Sequence, residues 1–313
     1  MSGAIFLEQQ ELKEVRAILN RRLPAGTKAY VFGSRAGGRA KPSSDLDLLL
    51  EGDGPLPLDV LATLADEFDI SRLRWKVDIV DRSSVSPEFA RIVDATKVRF
   101  PLSEIDEMSG RLILHQDPRS GNCYKIALTA ALLGIPLSIR NYDIVQGETR
   151  TPDFLAQVNA NGRIPVLQIG DRFLPESNAA CWYLAQGSAL IPADHFKQAD
   201  VLRWMFFEQY NHEPNVATLR FWLRFVGQAK LSEAQRGQIS AKRAAGDAAL
   251  RLMDDHLVGH DWFVGGAATL ADIALFAYTH ICEQGSFALD DYPAVQKWLA
   301  RMRALPGFVA MEE

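Results

Sequence analysis

The sequence has few cysteines, no long apolar run and no excess of basic residues. Its three cysteines, Cys123, Cys181 and Cys282, are an odd number without close spacing, which argues against a zinc ribbon or a disulfide framework. No segment reads as a signal peptide or a membrane span. With 34 Lys and Arg against 39 Asp and Glu, the net charge of −5 is not that of a nucleic-acid binder. We therefore predict a reduced, cytoplasmic protein with no membrane partner and no nucleic-acid partner.

What the sequence does contain is apolar material for more than one domain. Its 313 residues exceed a typical domain of about 100 to 200 residues, and 48% hydrophobic with 23% charged residues are globular values. Residues 101–110 are acidic and without periodicity, which is typical of a linker. The elements predicted before this linker are a helix with Leu12, Val15, Ile18 and Leu19 on one face, strands at 30–32, 46–50 and 77–80, and a helix at 58–68.

Two carboxylates, Asp45 and Asp47, are the first candidates for chemistry. Residues two apart on a strand point to the same side, so both side chains are expected to project together and to offer hard oxygen ligands to Mg²⁺. Asp78 interrupts an apolar strand, an expensive placement unless its charge is paired or bound to a metal. We predict Asp78 as the third ligand, with Asp81 as the alternative.

A Gly33-Ser34 turn lies ten residues before this carboxylate pair. Glycine lets the backbone come close to a phosphate, and the Ser34 hydroxyl and nearby amides can donate to its oxygens. Arg35, Arg39 and Lys41 add positive charge there. A solvated strand edge after a plain turn is the alternative interpretation, but the combined spacing favours a nucleotide and metal site.

These residues resemble the minimal nucleotidyltransferases of the polymerase-β superfamily, particularly the antitoxins that work with HEPN toxins. The resemblance covers about residues 5 to 100 and implies an α/β nucleotidyltransferase domain over residues 1–104. It implies that Gly33, Ser34 and Arg35 bind ATP, and that Asp45, Asp47 and Asp78 hold Mg²⁺. In some members AMP is transferred to a tyrosine of the partner toxin, so a HEPN-type toxin is an expected partner.

After the linker, strands and helices alternate and then give way to helices alone. The predicted elements are strands at 111–115, 136–142, within 161–168 and at 172–174, helices at 123–133 and 152–158, a helix opening at 175–178 with Ser177 as N-cap, and helices from 193 to the end.

Pro165 opens a strand at a position that suits a cis peptide bond. Thr269 and Asp272 form a capping box. Trp204, Phe206, Phe207, Tyr210, Phe221 and Trp222 are interpreted as core and pocket wall.

Five segments of this part resemble a bacterial glutathione S-transferase over residues 110–311. They are Ser120–Lys125, Asn161–Leu167, Pro175–Ser177, Phe207–Pro214 and Phe263–Leu275. The resemblance implies a thioredoxin-like α/β domain at 110–188 and an all-helical domain at 192–313 that lines the pocket for a small-molecule electrophile. It also implies a homodimer formed through this part of the chain.

The resemblance also implies which residues bind glutathione, the cosubstrate. Ile164, before a cis Pro165, would pair by its backbone with the cysteinyl part. Glu176 and Ser177 would hold the γ-glutamyl end, and Arg163 the glycine carboxylate.

Catalysis requires a donor that lowers the pKa of the glutathione thiol, which is ordinarily about 8.5. A hydroxyl or amide at a helix N-terminus can do this by hydrogen-bonding to the sulfur anion. Ser120 is the first candidate and Asn122 the second. Cys123 is a rival, because some relatives form mixed disulfides with glutathione, whereas Tyr124 is interpreted as a packing residue.

Three functional hypotheses follow. The favoured one is a bifunctional fusion with a working nucleotidyltransferase and a working glutathione transferase. The second is a glutathione transferase whose first domain only binds a nucleotide or a partner. The third is an antitoxin-type interaction protein that uses the glutathione transferase fold as a dimer scaffold. The presence of both sets of site residues favours the first.

Overall fold

The computed structural model describes residues 5–24, 26–36, 40–41, 43–102 and 112–312. The chain forms two compact units, Met1–Glu107 and Met108–Glu313. Most of the predicted linker, residues 103–110, lies outside the described residues, as do Arg39 and Arg111.

The first unit is a four-stranded sheet with helices packed against it. Helices α1 to α3 span Gln9–Arg22, Leu58–Asp69 and Pro87–Asp94, and strands β1 to β4 span Lys28–Phe32, Leu46–Glu51, Val77–Asp81 and Val98–Arg99. The strand order is β3-β2-β1-β4, with β2 parallel to β3 and antiparallel to β1. The core buries the predicted face of α1 against β2 and α2; its members include Val15, Ile18, Leu19, Leu46, Leu48, Leu50, Leu64 and Phe68. The elements predicted for this unit are confirmed.

The pairing of β2 with β3 brings two of the candidate carboxylates side by side. Asp47 is in register with Asp78, while Asp45 comes directly before Leu46, the first residue of β2. The expectation that Asp78 is a buried charge was wrong, because its side chain is 45% exposed and pairs with Lys76. The reason is that β3 is an edge strand with a neighbouring strand on one side alone, so its middle residues are less covered than those of β2.

The second unit begins with a mixed sheet of order β6-β5-β7-β8. Strands β5 to β8 span Leu112–Gln116, Ser138–Asn141, Val166–Ile169 and Arg172–Pro175, and helices α4 to α6 span Gly121–Leu132, Pro152–Gln157 and Ser177–Leu184. Strand β5 is parallel to β6 and antiparallel to β7, which is antiparallel to β8. This is the predicted thioredoxin-like arrangement, and the Ile164-Pro165 peptide bond is cis as expected.

The rest of the second unit is helical, as predicted. Helices α7 to α11 span His195–Phe207, Glu213–Arg220, Glu233–Leu257, Leu270–Thr279 and Pro293–Arg303, and π-helical segments at Glu208–His212 and Phe221–Val226 flank α8. The capping box at the start of α10 is confirmed. Its Asp272 is buried and also accepts hydrogen bonds from the Phe263 amide and the Trp298 indole. The cap therefore connects α10 to the preceding loop and to α11. None of the described helices is long and apolar enough to cross a membrane.

The aromatic residues around α7 do not all belong to the core. Trp204 is buried, but Phe206 is 62% exposed and Tyr210 is 80% exposed. The interpretation as core and pocket wall divides between them, because successive residues of a helix point to different faces: Trp204 is core, and these two residues form part of a wall. Together with Trp182 and Leu202 they line an open depression. We call these four residues the apolar face.

Candidate active sites

The three carboxylates of the first unit influence one another. Partial burial raises the pKa of Asp47, and the negative charges of Asp78 and Asp45 raise it further. Asp47 and Asp78 are register partners on adjacent strands, and Asp45 comes directly before β2. The three predicted ligands therefore belong to neighbouring positions of β2 and β3.

Gly33 is fitted to this cluster. It has a φ of +69°, a conformation that favours glycine, and a Cβ added here would overlap the Asp47 carboxylate. Ser34 follows in the short 3-10 helix Gly33–Arg35 and is half-buried. The turn after β1 therefore lies against the Asp47 carboxylate at Gly33.

Arg35 is built into the turn. It is buried, donates to the backbone oxygens of Ser44 (2.9 Å) and Phe6 (2.7 Å), and stacks on Trp75 with 4.1 Å between the guanidinium carbon and the ring centroid. These contacts give Arg35 a structural role in the loop, and its guanidinium is engaged by the protein itself. Lys41 is exposed.

The donor set suits Mg²⁺, which prefers carboxylate oxygens and keeps several waters. Among the described residues, however, no three Asp, Glu, His or Cys side chains already stand in a metal-binding arrangement. Lys76 explains this, because its Nζ lies 2.5 Å from Asp78 Oδ1 and its backbone N donates to Asp45 Oδ1 at 3.2 Å. The Lys76 side chain is 65% exposed, so it can rotate away when a cation competes for these oxygens.

Asp81, the alternative ligand, has a structural role. It is buried and accepts from the backbone amides of Leu56 and Ser83 and from the Ser83 hydroxyl. These hydrogen bonds lower the pKa of Asp81 against the effect of burial. Asp78 is therefore the better third ligand.

The second site lies where the loop after β5 enters α4. Ser120 is the N-cap of α4 and accepts from the Cys123 amide at 3.4 Å. Free amides at a helix N-terminus favour an anion such as a thiolate. The sequence-based choice of Ser120 thus has the expected position.

The two rivals of Ser120 are differently placed. The Asn122 side chain donates to Glu213 and accepts from the Ser177 hydroxyl, both at 3.3 Å, so it links α4 to α6 and α8. Cys123 is buried, and burial raises the pKa of its thiol to about 12. A protonated, inaccessible thiol does not suit mixed-disulfide chemistry.

The expected glutathione residues are grouped by the hairpin of β7 and β8. Pairing of Val166 with Pro175 sets the cis Pro165 beside Glu176, which is exposed with a φ of +72°. Glu176, not Ser177, is the N-cap of α6, so that prediction was wrong. The chain reverses at Glu176, and Ser177 is already helical. Arg163 is exposed just before this hairpin.

A small, partly open cavity lies next to Ser120. Its walls come from both halves of the second unit and are largely apolar; they include Ser120, Ile144, Val145, Phe221, Phe225 and Tyr278. Arg119 lies at its edge and is held by Asp117 and Asp143, at 2.6 and 2.8 Å. Such a cavity suits a small apolar molecule that must reach the Ser120 hydroxyl.

Sequence reasoning missed three buried polar residues near this site. Lys125 of α4 and Glu208 are both fully buried and pair at 2.8 Å. Tyr278 of α10 accepts from the backbone N of Asn122 at 3.4 Å. For Glu208, the sequence signal was a charged residue within the aromatic run at 207–214. Sequence spacing could not reveal the pairing of Lys125 with Glu208, 83 residues away, or of Asn122 with Tyr278, 156 residues away.

Comparisons with known proteins cover both units. A profile described as nucleotidyltransferase domain matches residues 12–109, and profiles for the N-terminal and C-terminal domains of glutathione S-transferase match residues 119–186 and 215–306.

Three individual relatives each cover between 58% and 65% of this chain. A glutathione S-transferase-like protein of Fusarium is 30% identical over 58% of this chain and 84% of its own length. A solved glutathione S-transferase of Pseudomonas fluorescens is 41% identical with a TM-score of 0.61, covering 65% of this chain and all of that chain. A second structure from that organism, with two glutathione molecules bound, is 25% identical with a TM-score of 0.55, over 63% of this chain and 89% of that one. The chain therefore belongs to the glutathione S-transferase family and carries, ahead of that fold, a nucleotidyltransferase domain.

Proposed function

We propose that the second unit transfers glutathione to a small electrophile, with Ser120 as the residue that stabilises the thiolate. One observation carries this proposal. Ser120 caps α4 and lines the cavity between the two halves of the second unit. The bound glutathione of the Pseudomonas fluorescens relative supports glutathione as the cosubstrate.

Different residues bind glutathione, stabilise its thiolate and exclude water. Arg163, the Ile164 backbone, Glu176 and Ser177 bind glutathione, and Ser120 donates a hydrogen bond to its sulfur. This bond and the free amides of α4 lower the pKa of the thiol, whose proton leaves to water. The thiolate then forms a carbon–sulfur bond with the electrophile, while the bond to the leaving group breaks and takes the electron pair with it. The apolar walls keep water away from the reacting carbon.

Ser120→Ala is expected to lower kcat/KM for conjugation by about 100- to 1,000-fold, the usual effect of removing one donor that stabilises a developing or stable anion. The assay is conjugation of a chromogenic aryl halide at neutral pH. Ser232→Ala is the matched control, because Ser232 caps α9 in the same way and is remote in sequence from the site residues. Unchanged conjugation in Ser120→Ala, with a loss in Asn122→Ala, would move the role to Asn122.

We further propose that the first unit transfers AMP from ATP to a hydroxyl group, in the manner of the antitoxins it resembles. The supporting observation is the cluster of Asp45, Asp47 and Asp78 beside the Gly33-Ser34 turn. Gly33 and Ser34 would bind the triphosphate, and the three carboxylates would hold Mg²⁺. When bound, this ion would neutralise charge on the triphosphate. The acceptor oxygen forms a bond to the α-phosphorus, pyrophosphate leaves, and the acceptor proton goes to solvent.

The acceptor that the resemblance suggests is a tyrosine of a partner toxin. Incubation of the full chain with ATP labelled at the α-phosphate, Mg²⁺ and cell extract would place label on a protein band, whose modified residue mass spectrometry identifies. Label on an RNA end or a small molecule would replace the toxin hypothesis. Nucleotide binding without transfer would support the alternative of a non-catalytic domain.

We also propose a homodimer formed through the apolar face of the second unit. Phe206 and Tyr210 expose most of their area there, beside Glu176 at the glutathione site. Clusters of exposed apolar side chains of this kind mark interaction surfaces. Replacing both Phe206 and Tyr210 with Glu is expected to give a monomer in sedimentation velocity. Val258→Glu, at a residue that is 78% exposed outside this face, should leave the dimer intact. A wild-type monomer would contradict the proposal.

A further inference from the structure

One face of the sheet in the first unit carries an aromatic side chain beside two of the candidate metal ligands. Phe32 of β1 is the register partner of Asp47 on β2, and Asp47 is the register partner of Asp78 on β3. Residues directly opposite each other on neighbouring strands point to the same side of a sheet. The half-buried Phe32 side chain therefore lies on the same side of the sheet as these two carboxylates.

Helix α3 adds exposed apolar side chains next to Phe32. Its Ala90 and Val93 are buried, whereas Phe89 is 39% exposed and Ile92 is 63% exposed. The Phe89 ring stands edge-to-face against the Phe32 ring, with 6.0 Å between the centroids and an interplanar angle of 84°. Residues three apart are neighbours on a helix surface, so Phe89 and Ile92 form one apolar patch. Contact with Phe32 gives the exposed Phe89 ring a defined orientation.

The Phe89 ring also lies close to the turn that is proposed to bind the triphosphate. Phe32 directly precedes Gly33-Ser34 in the chain. A single side chain, that of Phe32, therefore separates the Phe89 ring from this turn and from Asp47. In a nucleoside triphosphate the ribose holds the base at a comparable separation from the phosphates. A nucleotide whose phosphates lie at the turn can thus lay its base on Phe89.

We propose that Phe89, with Ile92 beside it, is the base-binding subsite of the first unit and stacks on the purine ring of ATP. The inference rests on the proposed nucleotidyltransferase function. Every base has a π-face, so stacking on an aromatic side chain depends on overlap and not on a hydrogen-bond pattern. The two fused rings of a purine offer more overlap than the single ring of a pyrimidine. Phe89 therefore favours ATP and GTP over CTP and UTP, and it does not distinguish the two purines.

Phe89→Ala tests the subsite, because it removes the ring from an exposed position and leaves the candidate metal ligands in place. The probe is α,β-methylene ATP with Mg²⁺, in which the bond that AMP transfer would break is blocked. Its binding to the full chain is measured by isothermal titration calorimetry. Since stacking of a base on one aromatic side chain typically changes affinity by about 10- to 100-fold, we expect a loss of this order. Binding of inorganic triphosphate with Mg²⁺, a probe without a base, should be unchanged.

Ile70→Ala is the matched control. Ile70 is 84% exposed at the end of α2, outside this patch, and its loss should leave both affinities unchanged. Phe89→Trp should keep the affinity for the analogue, whereas Phe89→Leu, which retains an apolar side chain, should lose most of it. In the wild-type chain GTP should displace the analogue better than CTP does, and Phe89→Ala should narrow that difference.

The outcomes separate this inference from the function on which it rests. A wild-type chain that binds neither the analogue nor inorganic triphosphate would defeat the proposed nucleotidyltransferase function itself. If the wild-type chain binds both, but Phe89→Ala and Phe89→Leu bind the analogue as tightly as Ile70→Ala does, only the base-binding role is overturned. Retained analogue binding with a loss of label transfer would overturn it in favour of a contact with the acceptor. An equal loss of affinity for the analogue and for triphosphate would also overturn it, because a disturbed fold has that signature.

Discussion

Replacing Glu208 with glutamine is expected to lower the free energy of unfolding of the second unit by about 3 to 5 kcal/mol. Glu208 and Lys125 are fully buried and 2.8 Å apart, and Asn178 and Gln209 donate to the same carboxylate oxygen of Glu208. Glutamine keeps the shape but removes the negative charge, so the Lys125 ammonium is left in an apolar interior without its counter-charge. Urea denaturation followed by tryptophan fluorescence measures the loss.

A double variant shows whether the pairing is responsible. Lys125→Met with Glu208→Leu removes both charges and should recover most of the stability, since buried ion pairs are often replaceable by apolar residues. Asp200→Asn is the control, because it breaks an exposed pair with Arg203 and should cost at most about 1 kcal/mol. If Glu208→Gln costs no more than Asp200→Asn, the buried pair does not stabilise the fold as described.

Replacing Asp45 and Asp47 together with asparagine is expected to reduce transfer of label from ATP by at least about 100-fold. The change removes two of three carboxylates while keeping the shape of the side chains. Because a bound metal contributes several kcal/mol to stabilising charge in phosphoryl transfer, and each 1.36 kcal/mol is a factor of ten, the loss should be of this order. The measurement is the initial rate of Mg²⁺-dependent label incorporation in the full chain.

Asp81→Asn provides the control for this double change. Asp81 caps the turn at Arg82–Ser84 and holds the Leu56 amide, so its loss should lower stability without abolishing transfer below the unfolding temperature. Loss of transfer in Asp81→Asn, with retention in an Asp78→Asn variant, would make Asp81 the third ligand. If label transfer survives the Asp45→Asn/Asp47→Asn change, these two residues do not hold the catalytic metal.

Local patterns predicted much of this molecule because they act over a few residues. The apolar run at 46–50 forms strand β2, and the capping box at Thr269 and Asp272 forms as expected. The proline at 165 suited the cis bond that is present. In each case the deciding interaction lies within a few positions along the chain.

The features that escaped prediction depend on distant segments. The exposure of Asp78 follows from the edge position of β3, which the sequence around Asp78 does not encode. Tyr278 reaches Asn122 across 156 residues, and Lys125 reaches Glu208 across 83. Only the packing of α4 against the helical domain creates these contacts. Contacts between segments this far apart along the chain are therefore harder to predict than local caps and strands.

We propose that one chain contains two independent transferase sites. The most direct measurement is a crossed assay of the full chain, in which the Asp45→Asn/Asp47→Asn and Ser120→Ala variants are each tested for label transfer from ATP and for glutathione conjugation. We predict that the first variant loses only label transfer and the second loses only conjugation. A wild-type chain that lacks either activity, or one variant that loses both while still folded, would contradict the claim.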